Sequence, residues 1–234
     1  MFDYPYLFTS LVLFIVSMTG YWFLSKHRRT LLISGLFSAP CSLTTFYFVP
    51  DYWHPVRLFD FTLGIEDMLF SFSTGMMAWS IITIRHRKIV SETTCFRVLW
   101  RYCKVLLLGL AMILLARQIP TTVMNQALIG IIIIGVILSW NRWYVLPSAI
   151  LTGVMFAIFY TLFLAIIFFI FPGFSAQWNH PNLFGFSMLN IPIEECLWAF
   201  IFGTCWVIAM VFVLNTKFSV PKDIRQAMPI DQGL

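Results

Sequence analysis

Residues 191–198 read Ile191-Pro192-Ile193-Glu194-Glu195-Cys196-Leu197-Trp198, which places two adjacent carboxylic acids inside an apolar stretch. A second acidic pair, Glu66-Asp67, occupies the matching place in the first half of the chain. The chain has only ten Asp and Glu residues, and four of them form these two pairs. An ionised carboxylate at membrane depth costs roughly 2.5–3.5 kcal/mol on insertion scales. Two such pairs therefore indicate a role beyond packing.

The composition is typical of a membrane protein. Of the 234 residues, 60% are hydrophobic and 11% are charged, and the mean hydropathy is +0.86. A soluble chain of this length would need far more charge to cover its surface. The net charge of +5 does not indicate nucleic-acid binding, because the basic residues cluster beside the apolar runs. We therefore predict an all-α, polytopic integral membrane protein that contacts lipid and no nucleic acid.

The apolar runs predict about seven transmembrane helices in a single membrane domain, residues 1–234, since about 20 apolar residues span a bilayer as a helix. Polar loops precede the third and seventh spans, at 50–63 and 172–189, and a basic connector at 89–101 precedes a short fourth span. The predicted spans are 5–25, 30–49, 64–85, 102–116, 126–140, 147–171 and 190–214.

The basic clusters predict the orientation of the spans. Cytoplasmic loops of membrane proteins are enriched in Lys and Arg. The clusters are Lys26–Arg29, Arg85–Lys88 and the tail residues Lys217, Lys222 and Arg225. If they lie in the cytoplasm, the N-terminus is outside, both polar loops are outside, and a tail of about residues 216–234 is cytoplasmic. The first apolar run has no basic flank before it and no small-residue cleavage site, so we interpret it as a retained span.

An internal repeat links the two acidic pairs. The elements His-Pro, Leu-Phe-x-Phe and Ile-Glu-acid recur in the same order in 53–72 and 179–200, and the pairs are 128 residues apart (194 − 66). The repeats are predicted at about 5–88 and 126–215, with a connector at about 89–125. Three spans in each repeat and one connecting span give both copies the same direction across the membrane. The prediction is therefore two parallel three-helix repeats joined by a connecting helix.

Pro192-Ile193-Glu194-Glu195, followed by Cys196-Leu197-Trp198, resembles the Pro-x-Glu-Glu/Asp signature of the lycopene cyclase domain. This domain occurs in bacterial heterodimeric carotenoid cyclases and in the cyclase half of fungal bifunctional carotenoid enzymes. The resemblance covers about residues 1–215 in architecture, and the first copy departs from the signature because Gly64 stands where Pro is expected. It implies a carotenoid cyclase of the bacterial inner membrane, a hydrophobic polyene or isoprenoid substrate, and no dissociable cofactor. A homo-oligomer is left open.

The chemistry that this resemblance implies suits the acidic pairs. Ring closure of a linear polyene begins with protonation of a terminal alkene, and it needs a water-shielded general acid, a base for the closing proton and π faces for the cation. Like-charged neighbours in a low dielectric cannot both ionise cheaply, so one carboxyl would stay protonated. We predict Glu194 or Glu195 as the principal acid, assisted by Glu66 and Asp67. The predicted substrate-binding residues lie within two turns of the acids or in the preceding loops: Phe70, Phe72, Trp198, Phe200, His54 and His180.

Other interpretations of the acidic pairs stay open. Acids at a helix N-terminus can be simple caps, stabilising by roughly 0.3–1 kcal/mol. Paired intramembrane acids in parallel repeats also suit a proton-coupled transporter or a binding protein for an isoprenoid or lipid. Adjacent glutamates further resemble the Glu-Glu-x-x-x-Arg motif of prenyl-protein endopeptidases, although Ala199 stands at the Arg position. Two His and four carboxylates would suffice for a metal, but we expect none, because a loop His beside Pro more often forms interfacial hydrogen bonds.

Overall fold

A computed structural model of the chain describes residues 4–86, 89–91 and 94–218. Its helices are α1 (Pro5–Phe23), α2 (Arg28–Ser38), α3 (Thr45–Phe48), α4 (Ile65–Arg85), α5 (Cys95–Ala116), α6 (Val123–Ser139), α7 (Leu146–Ile170) and α8 (Ile193–Leu214). Two antiparallel pairs of two-residue strands complete the fold: β1 (Ile89–Val90) with β4 (Lys217–Phe218), and β2 (Ser187–Met188) with β3 (Ile191–Pro192).

The prediction of a helical, polytopic membrane fold is confirmed. Six helical stretches of the described residues are long and apolar enough to cross a membrane, and α6 is a shorter apolar helix of 17 residues. These helices fit an integral membrane protein. The predicted orientation of the termini remains a prediction, and Arg87, Lys88, Lys222 and Arg225, on which it partly depends, lie outside the described residues.

The second predicted span, 30–49, falls in one helical stretch, Ser25–Phe48, but it is not α-helical throughout. Helix α2 ends at Ser38, and a 3₁₀ segment, Ala39–Thr44, links it to α3. Pro40 explains the break, because proline has no N–H to donate and its ring clashes with the preceding turn of an α-helix. Within this 3₁₀ segment the Ser42 side chain is buried.

The fourth predicted span was too short. It was placed at 102–116, but α5 begins at Cys95 and has 22 residues. Arg97 and Arg101 therefore lie within the helix rather than in the predicted basic connector, and Lys104, which the predicted span already included, follows them in α5. A helix can carry such residues near its end, because long basic side chains run along it and place their charges in the polar boundary.

The third helix of each predicted repeat lies at the centre of the bundle. Helix α4 packs against α1 and α2, α8 packs against α7 and α6, and α4 also contacts α7 and α8. Glycines allow the closest contacts: a Cβ on Gly75 would lie 2.2 Å from the Ser38 Cβ, and one on Gly153 would lie 2.6 Å from the Phe200 carbonyl oxygen. Small residues at such crossings let membrane helices approach each other closely.

The two polar loops contact each other above the starts of α4 and α8. The His54 N–H donates to the Gln177 carbonyl oxygen (2.6 Å), and the Asn179 N–H donates to the Tyr52 carbonyl oxygen (2.9 Å). The acidic pairs, which occupy the first turns of α4 and α8, consequently lie at the same end of the bundle.

Candidate active site

Glu195 is buried in the first turn of α8 and accepts three hydrogen bonds from neutral donors. The Tyr52 hydroxyl (2.8 Å) and the Trp178 indole N–H (3.0 Å) donate to Oε1, and the Tyr160 hydroxyl donates to Oε2 (2.9 Å). Among the described residues, no cation pairs with this carboxyl. Each carboxylate oxygen has two lone pairs, so Oε1 is filled and Oε2 keeps one position free. A proton carried by Glu195 therefore sits on Oε2.

Three separate elements supply these donors. Tyr160 comes from the middle of α7, whereas Tyr52 and Trp178 come from the two polar loops that precede α4 and α8. Burial raises the pKa of Tyr52 well above its ordinary value, and the hydrogen bond that its hydroxyl donates to Glu195 raises it further. The Tyr52 hydroxyl consequently remains a hydrogen-bond donor at neutral pH.

Asp67, in the first turn of α4, has a cationic partner where Glu195 has none. The Arg57 Nε lies 3.0 Å from Oδ2, and both side chains of this ion pair are largely buried. The Tyr6 hydroxyl donates to Oδ1 (3.0 Å), and the backbone N–H of Gly64 donates to Oδ2 (2.8 Å). A charge-assisted pair of this kind stabilises the ionised carboxylate. The two repeats therefore hold their second acids in different electrostatic surroundings.

The departure from the family signature at Gly64 follows from these contacts. A Cβ on Gly64 would lie 2.2 Å from the Glu66 Oε2 and 3.0 Å from the Arg57 Cδ. Proline would also lack the N–H that Gly64 donates to Asp67. Pro192 fills the equivalent place before α8, where Glu195 is held by side chains from elsewhere instead of by the cap. Gly64 thus suits an acid that is bound by the backbone at the start of its own helix, whereas Pro192 suits an acid that is bound by side chains of other elements.

The first acid of each pair binds the backbone of its own loop. The Leu58 N–H donates to the Glu66 Oε1 (2.7 Å), and the Phe184 N–H donates to the Glu194 Oε1. Both glutamates are buried, and their Oε2 atoms have no hydrogen-bond partner among the described residues. These two acids hold the Leu-Phe-x-Phe segments against the helix starts.

A cavity of about 600 Å³ joins the second acids of the two pairs. Asp67 and Glu195 both line it, whereas Glu66 and Glu194 do not. The polar groups lie near the acids, and the rest of the wall is mostly apolar and comes from the interrupted second span, α5, α6 and α8. Its volume falls within the range of about 300–1,000 Å³ that is usual for ligand pockets.

Three stacked aromatic rings follow Glu195 along α8 and line this cavity. The ring centroids are 5.0 Å apart for Trp198 and Phe202, and 5.7 Å apart for Phe202 and Trp206, with interplanar angles of 16° and 10°. We call these three residues the α8 aromatic ladder. Phe70 of α4 stacks on its first ring at 5.8 Å, and the Trp206 indole N–H donates to the Ser34 hydroxyl at its far end (2.9 Å). The ladder places three aromatic rings along the apolar part of the cavity.

Of the six predicted substrate-binding residues, only Phe70 and Trp198 line the cavity. Phe72 packs against Gly35 and the Phe14 ring, and Phe200 lies at the contact of α8 with α7. Each stands two residues beyond a lining residue, and a two-residue step on a helix turns a side chain to another face. His54 and His180 are exposed in the loops, where the His180 Nε2 lies 3.0 Å from the Ser175 carbonyl oxygen.

The sequence interpretation missed several cavity-lining residues and most of the partners of the acids. Among the lining residues, Phe202 and Trp206 carry a visible signal, because they follow Trp198 at four-residue intervals on one helix face. The partners of the acids carry no comparable signal, since Tyr6, Tyr160, Trp178 and Arg57 reach the acids from other helices or loops.

Within the described ranges, no group of three or more His, Cys, Asp and Glu side chains could hold a metal. The candidate site consists of carboxyl, phenol, indole and guanidinium groups.

Residues 118–213 match the model of a protein family described as lycopene cyclase. This segment contains α6, α7 and all of α8 except its last residue, and thereby Glu194, Glu195, Tyr160 and the α8 aromatic ladder. No curated protein and no solved structure matches the chain. The match confirms the resemblance that was drawn from the Pro192–Trp198 motif. Over this segment the chain is similar to the lycopene cyclase family, and this similarity supports a carotenoid cyclase assignment.

Proposed function

We propose that the chain closes a ring at one end of a linear carotenoid, with lycopene the leading substrate, as an intramolecular lyase or isomerase. The family match supports carotenoid cyclisation in general. The observation that carries the mechanism is the position of Glu195, a buried carboxyl with neutral partners at the polar end of an aromatic cavity. Such a group keeps its proton away from water and holds it beside an apolar ligand.

The reaction needs no net change of oxidation state. The proton on the Glu195 Oε2 adds to the terminal double bond, forming a C–H bond and leaving a tertiary carbocation. The next suitably placed double bond attacks this carbon, which forms the ring C–C bond and moves the positive charge to a ring carbon. Loss of one proton from a carbon beside that charge restores a double bond. Atoms balance, because the product is an isomer of the substrate.

The walls near Glu195 suit the charged intermediate. Trp198, Phe70 and Tyr160 surround the cavity beside the acid, with Tyr160 and Trp198 ring centroids 5.3 Å apart. A cation over an aromatic face gains about 0.5–2 kcal/mol, and more when water is excluded. The carbocation would therefore find π faces in place of solvent, which would otherwise capture it as an alcohol.

Expression in a lycopene-producing host, followed by chromatography and mass spectrometry of the pigments, tests this function. We expect a product of unchanged mass with a different retention time and a different visible spectrum. A host that expresses the Glu195→Gln variant at the same membrane level provides the control. Unchanged lycopene with normally inserted wild-type protein would contradict the proposal. Proton-dependent uptake of an isoprenoid by reconstituted vesicles would then favour the transporter alternative.

A further inference from the structure

Each of the two cavity-facing acids accepts a hydrogen bond from a buried tyrosine. The Tyr6 hydroxyl donates to the Asp67 Oδ1 (3.0 Å), and the Tyr160 hydroxyl donates to the Glu195 Oε2 (2.9 Å). Both phenols line the same cavity, and their side chains are almost completely buried. The Phe70 ring contacts both tyrosines, with its centroid 6.3 Å from the Tyr6 ring and 6.2 Å from the Tyr160 ring.

Cyclisation leaves a proton to be returned. After the first step Glu195 is a carboxylate, and the proton released from the ring must reach it before the next turnover. Glu195, Tyr6 and Tyr160 are all more than nine-tenths buried, so direct exchange of this proton with bulk water is hindered. A base that lines the cavity could take the proton from the ring, and a chain of buried groups could carry a proton from this base to Glu195.

Asp67 has the properties of that base. It lines the cavity as Glu195 does, and its pairing with Arg57 favours a charged carboxylate when the substrate arrives. Arg57 and Gly64 fill both lone pairs of Oδ2, whereas Oδ1 accepts from Tyr6 and at 3.3 Å from the Arg57 Nη2. Rotation of the Tyr6 hydroxyl would therefore free a position on Oδ1 for a proton.

We propose, on the basis of the proposed function, that Asp67 accepts the closing proton and that Tyr6 and Tyr160 return it to Glu195. The ring C–H bond breaks, its electron pair forms the new double bond, and the proton binds the Asp67 Oδ1. Asp67 then passes a proton to the Tyr6 oxygen while Tyr6 gives its own to Tyr160 through water in the cavity that both tyrosines line. Tyr160 gives its proton to the Glu195 Oε2. Every group ends in its starting state.

If the relay operates, loss of either tyrosine hydroxyl should slow every turnover after the first, but not the first. In Tyr6→Phe and Tyr160→Phe, the first ring can still close, because Glu195 begins with its proton. Steady-state turnover should then fall by roughly 10²-fold, the lower end of a general acid–base contribution. Rapid-quench assays of purified protein in lipid nanodiscs, with lycopene in excess, should show a burst of about one cyclised end per active site, followed by a slow phase.

Tyr52→Phe is the matched control, because it also removes one phenol hydrogen bond from Glu195. This bond is to Oε1 rather than Oε2, and Tyr52 lies in the polar loop before α4, outside the proposed relay. We expect this variant to lower the first and later turnovers by the same factor, with no burst. Tyr6 and Tyr160 variants without a burst, or a Tyr52 variant with the same burst, would overturn the relay while leaving cyclisation intact. A wild-type protein that forms no ring would overturn the proposed function and the relay together.

Discussion

Trp53 and Trp178 form an isolated antiparallel bridge, with ring centroids 5.6 Å apart, where the loops of the two predicted repeats meet. Each tryptophan precedes a His-Pro pair and belongs to the loop before an acidic motif. Trp178 donates to Glu195, and Trp53 contacts the ring of Tyr6, which donates to Asp67 (centroids 4.7 Å). The bridge therefore joins the surroundings of both cavity-facing acids.

This bridge requires that both loops lie on one side of the membrane. In a variant without the five native cysteines, we expect His54→Cys and Asn182→Cys to react with a membrane-impermeant thiol reagent from the same side. Asn141→Cys, one crossing away at the end of α6, should react only from the other side. All three positions are exposed in the structure. Opposite labelling of His54→Cys and Asn182→Cys would contradict the fold.

The two glutamates of the second pair should respond differently to replacement by Gln. Glu195→Gln keeps the shape and accepts hydrogen bonds, but it has no proton to transfer, so we expect cyclisation to fall by about 10²–10⁴-fold. Glu194→Gln still accepts from the Phe184 N–H and lies outside the cavity, so it should retain most activity. Pigment analysis at equal membrane levels measures both. An equal loss of cyclisation activity in the two variants would contradict the assignment of Glu195, rather than Glu194, as the acid that acts in the cavity.

Removal of Arg57 should destabilise the fold, because the buried carboxylate of Asp67 would lose its cation. Breaking a buried ion pair on one side costs roughly 3–5 kcal/mol. We expect Arg57→Ala to lower the midpoint of heat-induced unfolding in detergent. The double variant Arg57→Ala with Asp67→Asn should unfold at a higher temperature than Arg57→Ala alone, since no unpaired charge remains. A double variant as unstable as the sum of the single ones would exclude this coupling.

Gly153→Ala should disturb the contact of α7 with α8. Its Cβ would lie 2.0 Å from the Thr204 hydroxyl oxygen and 2.6 Å from the Phe200 carbonyl oxygen, and the backbone atom cannot move aside cheaply. Overpacking of this kind costs about 1–3 kcal/mol. Gly109→Ala is the control, because no atom lies within 4 Å of its added Cβ and alanine favours the helix. Equal unfolding midpoints for the two variants would contradict the close approach of α7 to α8 at Gly153.

Local patterns in the sequence were sufficient for the helices and for the acidic pairs. Hydropathy located every span. The structure differs at Pro40, where the second span changes to 3₁₀ geometry, and at the start of α5, where basic residues extend the helix. The repeat identified Glu66, Asp67, Glu194 and Glu195 as special, but it could not separate the loop-binding acid of each pair from the cavity-facing one. That distinction depends on which face of α4 and α8 points inward.

The partners of the acids depend on contacts between distant parts of the chain. Tyr6 is 61 residues from Asp67, and Tyr52 is 143 residues from Glu195. No periodicity connects such positions, so only the assembled bundle reveals them. Gly64 is intermediate: its departure from the family signature was visible in the sequence, whereas its cause, the space taken by Glu66 and Arg57, required the fold.

The α8 aromatic ladder should determine how tightly the polyene binds. Phe202→Leu keeps an apolar side chain of similar volume but removes the central π face, so we expect a higher KM with a smaller change in kcat. Phe200→Leu is the matched control on the same helix, because Phe200 does not line the cavity. Steady-state assays over a range of lycopene concentrations in nanodiscs separate the two parameters. If both variants raise KM equally, the ladder does not contact the substrate and the polyene must lie along another wall of the cavity.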